Sequence, residues 1–281
     1  MKGTVLAAIR RCRGGLLGVP LVILLPFGAL LASGCSADEG TADTSEGTTT
    51  TTKTEAIWNY VALGDSLAAG TGASHEGYVD RYAAYLETDT GAQVSITNLG
   101  RDGQTSSELL HALRNDPSWR RAVGEADVLT VNIGLNDLGR AAGTYENGTC
   151  GGADNQDCLR EVVQTVEGNW NATIAELLGL RSTNDAIIRA AGLGYTPYLD
   201  PEGADDRRSS DELDDFQVFK PYLEELNRYF ATTATDNGIP YAEVHLGERG
   251  TSPDGVHPND EGYRAIAERL RELGYEPLGP R

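Results

Sequence analysis

The chain has 281 residues, of which 40% are hydrophobic, so it is long and apolar enough to bury the core of one large or two small domains. Its formal net charge of −19 at pH 7 argues against nucleic acids and anionic lipid surfaces as electrostatic partners, because such a surface repels both. One enzyme-sized domain is the simplest interpretation.

Residues 1–34 have the pattern of an export segment. Basic residues come first, an apolar run fills residues 16–31, and small residues precede Cys35. Residues 31–35 read LASGC, which resembles the bacterial lipobox. This resemblance implies that a peptidase removes residues 1–34 as a lipoprotein signal peptide and that Cys35 then carries lipid. A plain secretory signal and an uncleaved membrane anchor are the alternatives, and all three place the rest of the chain outside the cytoplasm.

Residues 35–56 are predicted to be a disordered Thr/Ser-rich tether that begins at the lipidated cysteine. They contain scarcely any apolar side chains, so they cannot bury enough surface to fold. We expect residues 57–281 to form the folded domain. Loss of residues 1–34 removes four basic and no acidic residues, which leaves 19 basic against 42 acidic residues and a net charge of −23.

The chain has four cysteines, and two of them fall outside the folded domain. Cys12 lies in the export segment and Cys35 is assigned to lipid, which leaves Cys150 and Cys158. In an oxidising compartment we expect these two to form a disulfide, and closing so short a loop would stabilise the fold by about 2.5 kcal/mol. A zinc site is excluded because two cysteines without neighbouring histidines do not fill a tetrahedral shell.

From residue 57 onward, short β-rich apolar runs alternate with longer helical stretches. This pattern predicts an α/β fold of the doubly wound, flavodoxin-like kind, with five parallel strands and helices on both faces of the sheet. Strands are predicted at 58–64, 94–99, 127–133, 185–192 and 240–245. Helices are predicted at 78–89, 105–114, 157–181, 211–236 and 258–273. Residues 141–157 are interpreted as a polar insertion and residues 194–214 as a long loop.

In such a sheet, ligands bind outside the carboxyl ends of the strands. Two short motifs follow the first two predicted strands. The first strand runs into GDSLAAG at 64–70, which places Ser66 where a turn or helix begins. A helix cap would explain this serine equally well. The second strand runs into NLGRDGQT at 98–105, where a glycine lets a backbone N–H approach a ligand. A plain turn capped by Thr105 is the alternative.

Two further motifs follow the later strands. The third strand runs into GLND at 134–137, and the amide of Asn136 could stabilise a developing oxyanion, although such residues also end strands for turn reasons alone. The last loop carries DGVHPN at 254–259, just before a helix that Pro258 is suited to start. A carboxylate three residues before a histidine can bind one ring nitrogen, which leaves the other free to take a proton from a serine.

The remaining histidines do not combine this spacing with a place at a strand end. His75 and His245 have no carboxylate three residues before them. His111 has Glu108 at that spacing but falls inside a predicted helix away from the strand ends, so we interpret all three histidines as surface or packing residues. A GxSxG elbow, a phosphate-binding glycine loop and a cluster of metal ligands are all missing from the sequence. We therefore expect no metal and no cofactor.

Taken in order from Tyr60 onward, the four motifs resemble those of the SGNH (GDSL-like) hydrolases, a family named for the Ser, Gly, Asn and His of its successive blocks. The resemblance implies an ester hydrolase that works through an acyl-enzyme intermediate. It assigns Ser66 as the nucleophile, His257 as the base and Asp254 as the residue that orients the base.

The resemblance also implies an oxyanion hole. Its donors would be the backbone N–H of Ser66, the backbone N–H of Gly103 and the side-chain amide of Asn136. Gly100 is the alternative to Gly103.

Further expectations concern the surroundings of the site. Asp65 and Asp137 are expected to make turn hydrogen bonds that support the motif loops. We expect a small-molecule or glycan-borne ester as substrate, a monomer, no nucleic-acid partner, and contact with a membrane through the lipid alone. Two rival functions are a binding lipoprotein that keeps this fold without activity, and a deacetylase or acyltransferase that acts on a glycan.

Overall fold

A computed structural model of the chain describes residues 56–193, 210–246 and 248–279. The structure does not describe residues 1–55, which include the predicted signal peptide, Cys35 and nearly all of the predicted tether. Residues 194–209 of the predicted long loop also lie outside the described residues. Within the described part of the chain, no helix combines the length and the apolar character that crossing a membrane requires.

The five predicted strands are present and form one sheet in which neighbouring strands are all parallel. The order across the sheet is β2-β1-β3-β4-β5, so the predicted α/β fold class is confirmed. The strands are β1 (Ile57–Gly64), β2 (Gln93–Asn98), β3 (Val128–Asn132), β4 (Ile187–Ala191) and β5 (Tyr241–Ala242). The prediction of a strand over 240–245 was too long, because the chain leaves the sheet after two residues.

Burial along the strands explains how the sheet is covered. Every residue of β3 and of β4 is buried, and because successive side chains point to opposite faces, both faces of the sheet must be covered there. The edge strand β2 is mostly exposed. The core therefore lies on both sides of the central strands, directly below the ends that carry the motifs.

Eight α-helices lie within the described residues, and five of them were predicted. The three that were not predicted are α1, α4 and α5. The bounds are α1 (Ser66–Ala69), α2 (Tyr78–Thr90), α3 (Ser106–Asn115), α4 (Pro117–Gly124), α5 (Leu135–Glu146), α6 (Asp157–Leu180), α7 (Ser210–Asp236) and α8 (Asp260–Glu272).

The main helix-to-helix contacts fall into two groups. Helix α2 packs on α8, while α3 to α7 pack among themselves, as expected when helices cover both faces of a sheet. A disulfide joins Cys150 to Cys158, as predicted, and ties the segment after α5 to the first turn of α6.

Two sequence predictions need correction. Pro258 does not start the last helix; α8 begins at Asp260, because the side chain of Asn259 accepts from the N–H groups of Glu261 and Gly262 and caps the helix there. The stretch 141–157 is not wholly an insertion, since α5 continues to Glu146.

Candidate active site

The four motifs meet at the carboxyl edge of three neighbouring strands. GDSLAAG follows β1, NLGRDGQT starts at the end of β2, and GLND follows β3, while DGVHPN reaches the same place from the loop before α8. The side chain of Asn98 donates to Ala68 O at 2.7 Å, and Arg101 N–H donates to Gly64 O at 3.2 Å. The second motif is thereby fastened to the first.

Ser66 is held in a buried turn. It is the first residue of α1, and the side chain of Asp65 caps this helix by accepting from Leu67 N–H at 3.0 Å. Ser66 is only 8% exposed, and Asp65 and Leu67 are fully buried. A Cβ on Gly100 would lie 2.6 Å from Ala69 N, so a glycine is required for the second motif to pack on this turn.

Ser66, His257 and Asp254 form one continuous chain of contacts. His257 Nε2 lies 3.0 Å from Ser66 Oγ, and His257 Nδ1 lies 2.6 Å from Asp254 Oδ2. The other carboxylate oxygen, Oδ1, accepts from the N–H groups of Val256 and His257, each at 3.0 Å. Partial burial alone would raise the pKa of Asp254, but these hydrogen bonds outweigh it and hold that pKa below its usual value.

The loop that carries His257 is held by contacts that the sequence analysis missed. Ser252 N–H donates to His257 O at 2.7 Å, and Ser252 Oγ lies 3.1 Å from Gly72 O and 3.0 Å from Pro258 O. A Cβ on Gly72 would stand 2.9 Å from His257 Cβ. Because Gly72 and Ser252 are 180 residues apart, no local sequence pattern could have revealed this contact.

The two candidate glycine donors of the second motif differ in whether their N–H groups are already bonded. Gly103 has a φ of +72°, which favours glycine, and its N–H donates to no acceptor among the residues that the structure describes. The N–H of Gly100 is already bonded to Asn98 Oδ1 at 2.9 Å. Ser66 N–H opens a helix and therefore has no partner within it. Of these two glycines, Gly103 is therefore the one whose N–H is not already engaged.

The amide of Asn136 bridges two other motifs. Its Nδ2 donates to Asp65 Oδ2 at 3.2 Å and to Gln104 O at 3.0 Å. Both partners are acceptors, so the nitrogen of the amide must face them. Sequence analysis placed Asn136 near the oxyanion but did not foresee that both of its amide hydrogens are engaged.

Two buried carboxylates support the motifs: Asp65 makes the expected hydrogen bond within its own turn, whereas Asp137 binds a residue 31 positions away and not one in its own turn. Burial raises the pKa of Asp65 to about 7, although the hydrogen bond from Leu67 N–H opposes this shift. Asp137 accepts from Ser106 N at 2.8 Å and from Ser106 Oγ at 2.7 Å, at the start of α3. Burial raises its pKa as well. Asp65 is the one of the two that touches Asn136.

The other three histidines contact side chains outside the four motifs. His75 Nδ1 is 3.5 Å from Asp260, His245 Nε2 is 3.1 Å from Glu243, and His111 contacts the side chain of Asn115. All three histidines are exposed. Over the described ranges, no group of three or more His, Cys, Asp or Glu side chains is placed to hold a metal ion.

A family model and a relative of known name both match most of this chain. The family model of the GDSL-like lipases and acylhydrolases matches residues 60–270. A spore germination lipase, LipC, from Bacillus licheniformis is 30% identical over 228 residues, which cover 78% of this chain and 97% of that protein.

Solved structures extend the likeness to the fold. The lipase Lip_vut3 from a goat rumen metagenome has a TM-score of 0.65 at 26% identity, covering 79% of this chain and 99% of that one. An extracellular lipase from Streptomyces rimosus, at 19% identity, has a TM-score of 0.56 and covers 76% of this chain and 99% of its own. The acetylxylan esterase Axe2 from Geobacillus stearothermophilus, at 17% identity, has a TM-score of 0.53 and covers 79% of this chain and 96% of its own.

Proposed function

Since this chain belongs to the family of GDSL-like lipases and acylhydrolases, we propose that it cleaves carboxylic esters through Ser66, His257 and Asp254. As a member of this family it is a carboxylic ester hydrolase. The observation that carries the finer proposal is the continuous contact from Ser66 Oγ to His257 Nε2 at 3.0 Å and from His257 Nδ1 to Asp254 at 2.6 Å.

In the first half of the reaction, Ser66 is acylated. A serine hydroxyl is a poor nucleophile at neutral pH, so His257 Nε2 removes its proton as Oγ attacks the ester carbonyl carbon. Asp254 keeps the hydrogen of the neutral ring on Nδ1 and stabilises the imidazolium that forms. The tetrahedral intermediate then collapses, the bond to the alcohol oxygen breaks, and His257 returns the proton to the leaving alcohol.

The oxyanion of that intermediate is bound by the N–H groups of Ser66 and Gly103 and by the amide of Asn136. The free N–H of Gly103 supports its part in this set, whereas the N–H of Gly100 is already engaged. Each donor is worth about 3 kcal/mol in the transition state, because it is fixed before the charge develops. In the second half of the reaction, water repeats the attack on the acyl-enzyme, with His257 again as base, and frees Ser66.

The substrate that we propose is a small or glycan-borne ester rather than a long fatty ester. The segments next to the strand ends, at 71–78 and 138–158, are rich in polar residues and glycine, which suits hydrophilic acyl groups better than long apolar ones. We propose that the protein works as a monomer. We propose no nucleic-acid partner, because the strongly negative net charge of the chain repels the phosphates of nucleic acids.

We propose that the enzyme acts outside the cytoplasm, anchored by lipid on Cys35. The support for this is the order of basic residues, apolar run and LASGC within residues 1–35. Growth with labelled palmitate tests the anchor: label should enter the wild-type protein and be lost in Cys35→Ala. Label that persists in Cys35→Ala would place the lipid elsewhere.

Turnover of simple esters tests the catalytic proposal. The full-length protein should hydrolyse p-nitrophenyl acetate and butyrate faster than long-chain triglycerides. Acetylated xylan is assayed beside them as the glycan-borne ester. Ser66→Ala should abolish the activity while the thermal unfolding temperature stays the same. Activity that survives in Ser66→Ala would contradict the proposal, and no turnover of any ester would favour a binding protein on the same fold.

A further inference from the structure

The amide of Asn136 presents a problem for its proposed part in the oxyanion hole. It has two amide hydrogens, and the structure engages one with Asp65 Oδ2 and the other with Gln104 O. A third acceptor, the oxyanion, can be bound well only if one of these two partners gives way.

The two partners are unequal acceptors. Gln104 O is a neutral carbonyl at 3.0 Å, whereas Asp65 offers a carboxylate at 3.2 Å. Hydrogen bonds to an ionised acceptor are roughly twice as strong as those between neutral groups, so the neutral carbonyl is the partner that a negatively charged oxyanion displaces. The carboxylate then keeps its hydrogen and fixes the plane of the amide.

The burial and contacts of Asp65 suit it to hold the Asn136 amide in place. Its side chain is fully buried, and its other oxygen is fixed by Leu67 N–H at 3.0 Å in the turn that also holds Ser66. One carboxylate therefore sets the position of the nucleophile turn and of the Asn136 amide at once.

We propose that ionised Asp65 is a positioning residue, which holds one amide hydrogen of Asn136 so that the other turns from Gln104 O to the oxyanion. The inference rests on the proposed function, because it assigns Asp65 a part in that same reaction. A protonated Asp65 is a weak acceptor and releases the amide, so activity falls when Asp65 takes up a proton.

The groups that face Asp65 determine when this happens. They are Tyr78 on α2, Asp137 on α5, His257 in the loop before α8, and Tyr263 on α8. Burial raises the pKa of Asp65 to about 7, and the negative charge of Asp137 adds to this rise, while a protonated His257 opposes it. Asp65 thus takes up its proton near neutral pH.

A double-mutant cycle tests the proposal most sharply. Asp65→Asn keeps an oxygen that can cap α1 but removes the charge. We expect it to lower kcat by about 10- to 100-fold, with KM within about twofold, because the oxyanion donor is misplaced. In an Asn136→Ala background, the same substitution should cost no further loss of kcat. Losses that simply add would overturn the proposal, since Asp65 would then act independently of Asn136.

The pH profile gives a second readout, which a purely structural role would not change. On the acid side, log(kcat/KM) of the wild type should steepen to a slope of about two over the pH range in which Asp65 takes up its proton, because a proton on His257 inactivates the enzyme and a proton on Asp65 lowers its activity by a further factor of about 10 to 100. Asp65→Asn and Asn136→Ala should both lower this slope to about one. Asn136→Ala tests the same point even if Asp65→Asn does not fold.

Asp137→Asn is the matched control, since Asp137 is a second buried carboxylate that binds Ser106 instead of Asn136. It should keep the slope of about two, and a fall to about one in this variant would overturn the proposal. Labelling of Ser66 by a fluorophosphonate distinguishes failure of the proposed role of Asp65 from failure of the proposed ester hydrolysis. A wild type that is labelled and active but shows additive losses refutes only the role of Asp65, whereas an unlabelled, inactive wild type refutes the proposed function.

Discussion

The two halves of the candidate site are held in place by different forces. Ser66 stands in a turn whose neighbours Asp65, Leu67 and Ala68 are almost completely buried. Asp254 is exposed and His257 is half-buried, and their loop is fixed by hydrogen bonds and by close backbone contacts. The serine side is therefore positioned by packing and the histidine side by polar contacts, so substitutions in the two halves should affect stability and activity differently.

Loss of the base should have the largest effect. His257→Ala removes the group that takes the proton from Ser66, so we expect kcat to fall by at least about 10⁴-fold. Because the histidine loop contributes little to the core, the unfolding temperature should barely change. Steady-state kinetics and thermal unfolding measure both, with the exposed His111→Ala as the control that keeps full activity. Equal losses of activity in the two variants would contradict the role of His257 as the base.

Removal of the charge on Asp254 should have the next largest effect. Asp254→Asn keeps the size of the side chain but favours the wrong tautomer of the ring, so kcat should fall by roughly 10²- to 10⁴-fold. The control is Glu243→Gln, which breaks another exposed carboxylate–histidine contact, 3.1 Å from His245. We expect the control to leave kcat unchanged. If Asp254→Asn behaves like this control, Asp254 does not orient the base.

The contact between the two halves can be tested at Gly72. An added Cβ would stand 2.7 Å from Pro258 O and 2.9 Å from His257 Cβ, so Gly72→Ala must displace the histidine loop. We expect kcat to fall by about 100-fold, because a shift of about 1 Å suffices for such a loss.

Gly91→Ala is the matched control for this substitution. Gly91 has a φ of +73°, but a Cβ there would meet no atom within 4 Å. Both variants should lose about 1–2 kcal/mol of stability from the left-handed backbone, yet Gly91→Ala should keep its kcat. Similar kcat values in the two variants would mean that the loop contact does not position His257.

On the packed side, Asp65 should affect stability and its dependence on pH. The pKa of Asp65 is about 7 in the folded protein against 3.8 for a free aspartate, so the folded state holds the proton over a pH range in which the unfolded state has lost it. Stability should therefore fall as the pH rises from about 4 to about 7, by at most about 4 kcal/mol from this group.

The pH dependence of unfolding measures this contribution. Asp65→Asn should flatten the decline in the free energy of unfolding between pH 4 and 7, and the variant should gain stability relative to the wild type as the pH rises. An unchanged pH dependence would show that Asp65 does not titrate in this range.

The sequence predicted the parts of the molecule that follow from local patterns. The five strands were found from their apolar runs, and Asp254 with His257 from the spacing of three residues, because a turn of that length brings the carboxylate to the ring. Helix α4 was missed although Asp116 and Pro117 give a clear start signal, a capping side chain followed by proline at the first helical position. Helix α5 was missed because Gly139 and Gly143 weaken its helical pattern.

The contacts that complete the site could not be predicted in the same way. Ser252 with Gly72, and Asp65 with Asn136, join residues that are 180 and 71 positions apart. Nothing local distinguishes Gly72 from any other glycine in a turn, and Asp65 looks like an ordinary helix cap. Only the folded arrangement of the strand ends determines which loops touch.

Mass spectrometry of the full-length protein after treatment with a fluorophosphonate tests the central claim most directly. In this reaction Ser66 Oγ attacks phosphorus and fluoride leaves, so the account predicts one adduct, located on Ser66, and a much slower reaction in His257→Ala. An adduct on another residue, or a wild type that is not modified while it still hydrolyses esters, would contradict the account.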